Sequence, residues 1–318
     1  MSSGASFPLR YNGRTAIVTG AGAGLGRSYA RLLGARGARV AVNDIDTTAA
    51  VNVADEIRRD GGDAIAVSLP VEEGDAVVRQ TLAHFGGIDI VVNNAGTLAD
   101  RAFHNMTDDE WDAVYRAHLL GTMRVTRAAW PHLRAQSKGR VVMTSSGSGL
   151  YGWFGQSNYA AAKMGILGLA KALAIEGRKY NIAVNTICPI AGSRLSAKVW
   201  PEKAVQELAT DAVAPLVAVL CHDSCPVTGG VFEAGGGWFS SLRLERSAGL
   251  CLHGEPGDVA DRLRQMWSAV EDFSTSTHPS SVLDSYKAVR AGMTPDTARE
   301  WDQFIDSIAL PRYLTRDM

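Results

Sequence analysis

A tyrosine and a lysine stand four residues apart in the segment SNYAAAK, and a cluster of serines and glycines precedes them. Residues four apart share one face of a helix, so Tyr159 and Lys163 are predicted to point the same way. Free tyrosine is a poor base at neutral pH, and a nearby ammonium group lowers the pKa of a phenol. Ser146, at the end of a predicted strand, can hydrogen-bond a substrate oxygen. These residue types predict proton transfer at an alcohol or ketone.

A glycine-rich loop, TGAGAGLG, follows the first apolar strand and precedes a helical segment. Backbone N–H groups in such a loop can approach a pyrophosphate, because Gly20, Gly24 and Gly26 carry no side chain that blocks it. Asp44, at the end of the second strand, can accept hydrogen bonds from ribose hydroxyls and would repel a 2′-phosphate. The loop therefore predicts a bound dinucleotide, with NAD preferred over NADP. The neighbouring Arg27 is expected to soften that preference.

Strand and helix signals alternate through the first three-quarters of the chain. The predicted strands cover residues 15–20, 38–44, 64–69, 88–94, 139–145 and 182–188. Continuously apolar strands that alternate with helices predict a parallel sheet covered on both faces. The expected fold is therefore α/β, a Rossmann-type doubly wound parallel sheet, with ligands beyond the carboxyl ends of its strands.

The sequence becomes polar and helical after about residue 239. We predict a dinucleotide-binding catalytic domain over residues 1–239 and a helical C-terminal extension over residues 240–318. One helix is expected over residues 257–273, with a single apolar stripe. That stripe comprises Val259, Leu263, Met266, Trp267 and Val270.

Composition excludes several classes of function. The 318 residues are 46% hydrophobic and 20% charged, with a net charge of -1, so no basic surface for nucleic acid is expected. No apolar run is long enough to cross a bilayer, and no signal peptide is recognised, so we expect a cytoplasmic protein with no membrane partner. The four cysteines include no C-x-x-C pair, which predicts reduced thiols and no metal site.

Three motifs together resemble the short-chain dehydrogenase/reductase family over about residues 13–237. They are TGAGAGLG, NNAG, and a serine followed by Y-x-x-x-K. The resemblance implies that Tyr159 is the acid/base, that Lys163 modulates its pKa and binds the nicotinamide ribose, and that Ser146 anchors the substrate oxygen. The cofactor-binding set that it implies is Gly20, Gly24, Leu25, Gly26, Asp44, Asn93, Ala95, Gly96, Tyr159, Lys163 and Pro189.

A narrower resemblance, which continues into the tail through LRLERSAG and EDFSTSTHPSS, is to the (3R)-hydroxyacyl-CoA dehydrogenases of that family. It implies NAD-dependent oxidation of a (3R)-hydroxyacyl-CoA to the 3-oxoacyl-CoA, in a homodimer or homotetramer whose extension completes the active site or the dimer interface. Similar enzymes have a peroxisomal ending that this sequence lacks, which again predicts a cytoplasmic location. A 17β-hydroxysteroid or steroid-derived acyl-CoA substrate stays open, as does a dinucleotide-binding protein without catalysis.

The sequence departs from the family at three places. Leu69 replaces an aspartate that contacts adenine, so the backbone or Val71 is expected to make that contact. His118 replaces an asparagine, and we predict that it serves a proton relay, with a packed histidine as the alternative. The loop that begins at Pro189 lacks the family's P-G dipeptide, and residues 193–214 are expected to form a small lid over an open mouth.

Overall fold

The computed structural model describes residues 8–192 and 201–309 of the chain. Its backbone divides into two compact units, Met1–Ser241 and Leu242–Met318. The strands of the main sheet are β1 (Thr15–Thr19), β2 (Arg39–Asn43), β3 (Asp63–Val67), β4 (Ile90–Asn93), β5 (Gly139–Thr144), β6 (Ile182–Pro189), β7 (Val231–Gly235) and β8 (Trp238–Leu242). The helices of the first unit are α1 (Gly24–Ala35), α2 (Thr47–Arg59), α3 (Gly74–Phe85), α4 (Asp108–Tyr115), α5 (Gly121–Ala135), α6 (Gly147–Tyr151), α7 (Ser157–Gly177), α8 (Glu202–Glu207) and α9 (Ala214–Cys221).

The eight strands form one sheet in the order β3-β2-β1-β4-β5-β6-β7-β8. Every pair from β3 to β7 is parallel. The strand order reverses between β1 and β4, and the crevice at such a point is where doubly wound sheets bind ligands. The predicted fold class is confirmed.

Apolar side chains cover the sheet on both faces. Val18 and Val40 belong to a buried cluster that includes Leu33 of α1. Ile17, next to Val18 in β1, belongs to a second cluster with Leu133 of α5. Successive strand residues point to opposite faces, so β1 supplies both clusters. The loops at the carboxyl ends of the parallel strands lie beyond these two clusters, at the edge where such sheets bind ligands.

The helical segment from Asp108 to Ala135 is interrupted. A capping box of Thr107 and Glu110 starts α4. The chain then makes a π-helical turn over Arg116–Leu120, with His118 at its centre, before α5 begins. Hydrophobic periodicity predicts a helical segment but does not distinguish an α turn from a π turn, so this interruption was not foreseen.

The second unit contains a short antiparallel pair, β9 (Arg246–Ser247) and β10 (Ser276–Thr277). Its helices are α10 (Pro256–Gln265), α11 (Trp267–Val270), α12 (Val282–Val289) and α13 (Pro295–Ala309). Trp301 of α13 donates its indole N–H to the carbonyl of Tyr286 in α12 at 2.7 Å. No helix in the described ranges is long and apolar enough to span a membrane.

The single helix predicted over residues 257–273 is two helices that meet at Met266. Val259, Leu263 and Val270 are partly buried. Met266 and Trp267, however, are 43% and 51% exposed. The predicted single apolar stripe is therefore not uniformly buried.

Candidate active site

The loops at the carboxyl edge of the sheet enclose an open cavity of about 1360 Å³. Its wall combines the glycine loop after β1, the end of β2, the loop after β4, and the segment that includes Ser146, Tyr159 and Lys163. This volume is larger than that of an ordinary small-ligand pocket, and it suits a dinucleotide together with a substrate. The glycine loop and the reactive side chains, which were predicted from separate motifs, therefore line the same cavity.

The glycine loop fits a bound pyrophosphate. Gly24 lines the cavity with a φ of 55°, and a Cβ there would meet no other atom within 4 Å, because it would point into open space. The helix that follows, α1, has neither a side chain capping its N-terminus nor an acidic residue in its first turn. Its free N–H groups and the helix dipole are therefore available to an anion.

Two residues of the predicted cofactor set lie behind the wall instead of in it. A Cβ on Gly26 would sit 2.2 Å from the carbonyl oxygen of Gly20, so this glycine allows close packing of α1 against the loop. Asn93 is 2% exposed and donates to the Thr126 hydroxyl at 2.9 Å. The next residue, Asn94, lines the cavity and donates to the Gly20 carbonyl at 3.2 Å.

Asp44 is fixed at the cavity wall by two backbone donors. The Gly22 N–H bonds one carboxylate oxygen at 2.9 Å, and the Asp46 N–H bonds the other at 3.0 Å. The guanidinium of Arg27 is engaged elsewhere, because its Nε donates to Glu56 at 2.9 Å and a second nitrogen lies 2.8 Å from the same oxygen. The expected softening of the Asp44 charge by Arg27 therefore has no support in this geometry.

The wall beside Asp44 is apolar. Leu69 and Val71 line it, and the Asn43 side chain secures the backbone there by donating to the Leu69 carbonyl at 2.8 Å. Leu25, Ala95, Gly96 and Pro189 also line the cavity, as the family resemblance implies. Residues 193–200 of the predicted lid lie outside the described residues.

Ser146 is the residue before α6, and its hydroxyl accepts the N–H of Ser148 at 3.1 Å. Tyr159 and Lys163 lie in α7, where the ammonium nitrogen of Lys163 is 5.5 Å from the centre of the Tyr159 ring. The Tyr159 and Ser146 hydroxyls are hydrogen-bonded to each other. Lys163 donates to the Thr144 carbonyl at 2.7 Å, at the end of β5.

Burial has the largest effect on the pKa values of Tyr159 and Lys163. It raises the pKa of Tyr159, an effect that the hydrogen bond from Ser146 opposes and the Asp100 carboxylate adds to. Burial also lowers the pKa of Lys163 from 10.5 to about 7. The prediction that Lys163 brings down the pKa of Tyr159 is therefore not met in this structure, because loss of hydration has the largest effect on the phenol and raises its pKa.

His118 lies in the π turn against the Tyr159 ring. It is 3% exposed, and the two rings meet edge to face with centroids 5.1 Å apart. Its Nε2 is 2.7 Å from the Thr97 carbonyl oxygen and 3.0 Å from the Thr97 nitrogen. Its Nδ1 is buried with no hydrogen-bond partner in the described part of the chain. Burial first, and the Lys163 charge second, hold the pKa of His118 well below its usual range, so the ring is neutral.

The His118 ring also explains Gly96. A Cβ on that glycine would lie 1.9 Å from the His118 Cε1, so any side chain would expel the ring. His118 thus has the backbone partner of a packed histidine and the unused nitrogen that a relay needs. Its relay role stays a prediction.

Among the residues that the structure describes, no group of three or more His, Cys, Asp or Glu side chains can hold a metal ion. The four cysteines are free.

Comparison with known proteins decides the family. Residues 14–200 match the family described as short chain dehydrogenase. The chain belongs to that family. The predicted family and the predicted oxidoreductase class are confirmed, and family members use NAD or NADP.

This dehydrogenase is 49% identical over 288 residues to the peroxisomal multifunctional enzyme type 2 of Mus musculus. The alignment covers 87% of the chain but 39% of the mouse enzyme. It is 43% identical over 205 residues to a hydroxyacyl-CoA dehydrogenase of Mycobacterium tuberculosis, covering 59% of the chain and 64% of that relative. The solved structure of full-length peroxisomal multifunctional enzyme type 2 from Drosophila melanogaster superposes with a TM-score of 0.77 at 40% identity, over 88% of the chain and 49% of the fly protein. The chain thus spans less than two thirds of the length of each.

The prediction of a cytoplasmic protein was wrong. It rested on the two ends of the sequence, and the mouse and fly relatives are peroxisomal enzymes. A dehydrogenase that matches only part of its relatives does not reveal its compartment through its own ends.

Sequence reasoning missed several cavity residues of this dehydrogenase, among them Asn94, Asp100 and Glu233. Asn94 stands beside the predicted Asn93 in the NNAG motif, and of the two it is Asn94 that lines the cavity. Asp100 and Glu233 also line the cavity. Neither belongs to a motif with a known spacing, and only the folded chain brings them to Ser146 and Tyr159.

Proposed function

We propose that this dehydrogenase oxidises a (3R)-hydroxyacyl-CoA to the 3-oxoacyl-CoA with NAD. The observation that carries the proposal is a single cavity in which Ser146, Tyr159 and Lys163 face the space beyond the glycine loop. The similarity to a hydroxyacyl-CoA dehydrogenase and to the multifunctional enzymes supports the substrate class.

Each reactive residue has one role in this oxidation. Ser146 hydrogen-bonds the substrate oxygen and keeps it beside Tyr159, to which its own hydroxyl is already bonded. Tyr159 takes the hydroxyl proton while the carbon–oxygen bond becomes a carbonyl. When bound, the dinucleotide supplies the acceptor for the hydride that leaves the same carbon. The dinucleotide would be held by the glycine loop, by Asp44 and by the part of the cavity wall that includes Leu25 and Pro189.

Lys163 prepares Tyr159 for proton transfer. A phenol with a raised pKa is a weaker acid, so a stable phenolate requires positive charge nearby when the proton moves. Lys163 is the cation beside the ring, at 5.5 Å from its centre. With a pKa of about 7, it can also pass a proton onward near neutral pH.

Asp44 favours NAD over NADP. The two backbone N–H groups that bind its carboxylate also keep it from swinging away from an incoming 2′-phosphate. Repulsion between like charges at such a separation costs up to roughly 4 kcal/mol at an effective dielectric of about 20. Arg27 does not relieve that repulsion, since Glu56 holds it.

The test follows NADH formation by the full chain with (3R)- and (3S)-hydroxyacyl-CoAs of several chain lengths and with 17β-hydroxysteroids. We expect turnover of the 3R thioesters, its loss in Tyr159→Phe, and its retention in Tyr115→Phe, because Tyr115 lies in α4 outside the cavity wall. Comparable rates on free steroid alcohols would favour the steroid substrate instead. No turnover of any alcohol with either dinucleotide would favour a binding protein without catalysis.

A further inference from the structure

Glu233 is a carboxylate at the substrate cavity that the reaction as described does not use. It lies in β7, where its Cα pairs with that of Cys188 in β6. β5, which leads to Ser146, is the next strand. The Glu233 side chain is partly buried and lines the same cavity as Ser146 and Tyr159.

The Tyr151 hydroxyl holds this carboxylate in place. It donates to Glu233 Oε2 at 3.2 Å, and Tyr151 is the last residue of α6, the helix that Ser146 caps. No salt bridge in the described ranges includes Glu233. Within those ranges the carboxylate thus has a phenolic partner and no cationic one.

Asp100, the other carboxylate on this side, is differently placed. It accepts the side-chain amide of Gln156 at 2.8 Å and thereby joins two loops. Glu233, in contrast, lies on a strand of the sheet and has one phenolic partner. A carboxylate only accepts hydrogen bonds, so Glu233 is complementary to a donor on the substrate.

We propose that Glu233, oriented by Tyr151, accepts a hydrogen bond from the first amide N–H of the pantetheine arm and so selects CoA-type thioesters over simple esters and alcohols. The inference rests on the proposed function, and it assigns the groups that recognise the arm of its substrate.

Distance supports this assignment. Neighbouring strands are about 4.8 Å apart, so β7 lies roughly 10 Å from β5 across the sheet. About six bonds separate the reacting carbon from the first amide nitrogen of the arm, which is roughly 7 to 8 Å when extended. A substrate oxygen at Ser146 thus leaves that amide within reach of a glutamate side chain on β7. The phosphates of CoA lie further along the arm, so they do not face Glu233.

The experiment compares three (3R)-hydroxybutyryl substrates with the full chain: the CoA thioester, the N-acetylcysteamine thioester and the ethyl ester. Both thioesters carry the first amide, and the ester carries none. We expect Glu233→Gln to raise KM for both thioesters about 10-fold, with kcat within about twofold, because a charged acceptor is lost. KM for the ethyl ester should stay unchanged. Tyr151→Phe should raise the same two KM values less, by about threefold, because it leaves the carboxylate but not its orientation.

Two matched variants serve as controls. Glu73→Gln makes the same charge change at an exposed position outside the cavity wall, and Tyr115→Phe removes a phenolic hydroxyl from α4. Both should leave all three KM values unchanged. The dissociation constant of NAD, measured by titration with each variant, should equal that of the wild type and shows that the variants are folded.

Two results overturn the inference. If the wild type oxidises the thioesters and Glu233→Gln changes KM equally for ester and thioesters, or changes none, the inference fails and the proposed function stands. If the wild type oxidises the ester or a steroid alcohol but neither thioester, the proposed function fails and the inference falls with it.

Discussion

At the scale of residues, the site contains two groups, Tyr159 and Lys163, whose charged forms are disfavoured by burial. Lys163 is buried with a carbonyl partner and, in the part of the chain that the structure describes, no carboxylate partner. Its pKa of about 7, and the raised pKa of Tyr159, follow from the same loss of water. Holding both groups away from water comes at a cost to stability, as is common at functional sites.

Replacement of Lys163 by methionine tests that cost. A pKa lowered from 10.5 to about 7 corresponds to a penalty on the order of 5 kcal/mol for the charged form, part of which is offset by the hydrogen bond to Thr144. We expect Lys163→Met to raise the free energy of unfolding by roughly 1 to 3 kcal/mol at pH 7 and to abolish oxidation.

The direction of the Lys163 pKa shift determines how the free energy of unfolding changes with pH. The folded-state pKa lies below the unfolded value, so the penalty is absent above about pH 10.5, grows as the pH falls, and is complete below about pH 7. Denaturant unfolding of wild type and variant, without added dinucleotide, should show a difference that shrinks as the pH rises toward 10. A difference independent of pH would show that Lys163 is not the titrating group.

Asp44 governs the choice of dinucleotide at this scale. We expect the kcat/KM with NAD to exceed that with NADP by roughly 100-fold or more, and Asp44→Ala to narrow the gap by removing the repulsion. Asp46→Asn is the control, because it removes a nearby charge while keeping an amide that caps α2. A wild type that uses both dinucleotides equally would contradict the assignment.

At the scale of elements, the π turn between α4 and α5 positions a side chain that an unbroken helix would place elsewhere. Single π turns inside helices are often found at functional sites. Here the turn brings His118 to Thr97 on one side and to Tyr159 on the other. Gly96 completes the arrangement, since no larger residue leaves room for the ring.

Substitution of His118 separates relay from packing. An asparagine can still bond the Thr97 backbone, so we expect His118→Asn to keep most activity. His118→Leu should lower kcat much more than it raises KM, because the lost group serves proton release and not substrate binding.

The pH profile adds a second readout. Because its pKa lies well below the usual range, His118 itself should give no step near pH 6.5, and the step near pH 7 should belong to Lys163. A leucine variant with normal kcat at every pH would leave His118 as a packed side chain.

At the scale of the whole molecule, the chain forms two compact units, and every residue that lines the cavity lies in the first. The prediction that the extension completes the active site or a dimer interface stays a prediction, as does a homodimer or homotetramer. The proposed boundary at residue 239 lies close to the division of the backbone after Ser241.

Truncation tests the role of the extension. A protein of residues 1–240 retains the glycine loop and Asp44, so we expect its dissociation constant for NAD to remain close to that of the full chain. We expect turnover of acyl-CoA to fall much more, because the extension is predicted to serve the substrate. Titration calorimetry and NADH formation measure the two effects. Full activity of the truncated protein would refute that role, and loss of NAD binding would show that the first unit depends on the second.

The parallel sheet, the glycine loop and the pairing of Tyr159 with Lys163 could all be predicted from the sequence. Each of these is a local pattern: apolar runs that alternate with helices, glycines between a strand and a helix, and two residues one helical turn apart. Such patterns specify chemistry through residue type and short spacing alone. The folded chain keeps these patterns because the backbone geometry of strands and helices sets the relative positions of residues that are close in sequence.

Tertiary structure alone decided which side chains meet from distant parts of the chain. It paired Arg27 with Glu56 and brought Tyr151 to Glu233, 82 residues away. It turned Asn94 instead of Asn93 toward the cavity, and it removed enough water from around Tyr159 to reverse the expected direction of its pKa shift. Hydration and long-range contact depend on what packs around a group. Neither can be read from the neighbours of a residue in the sequence.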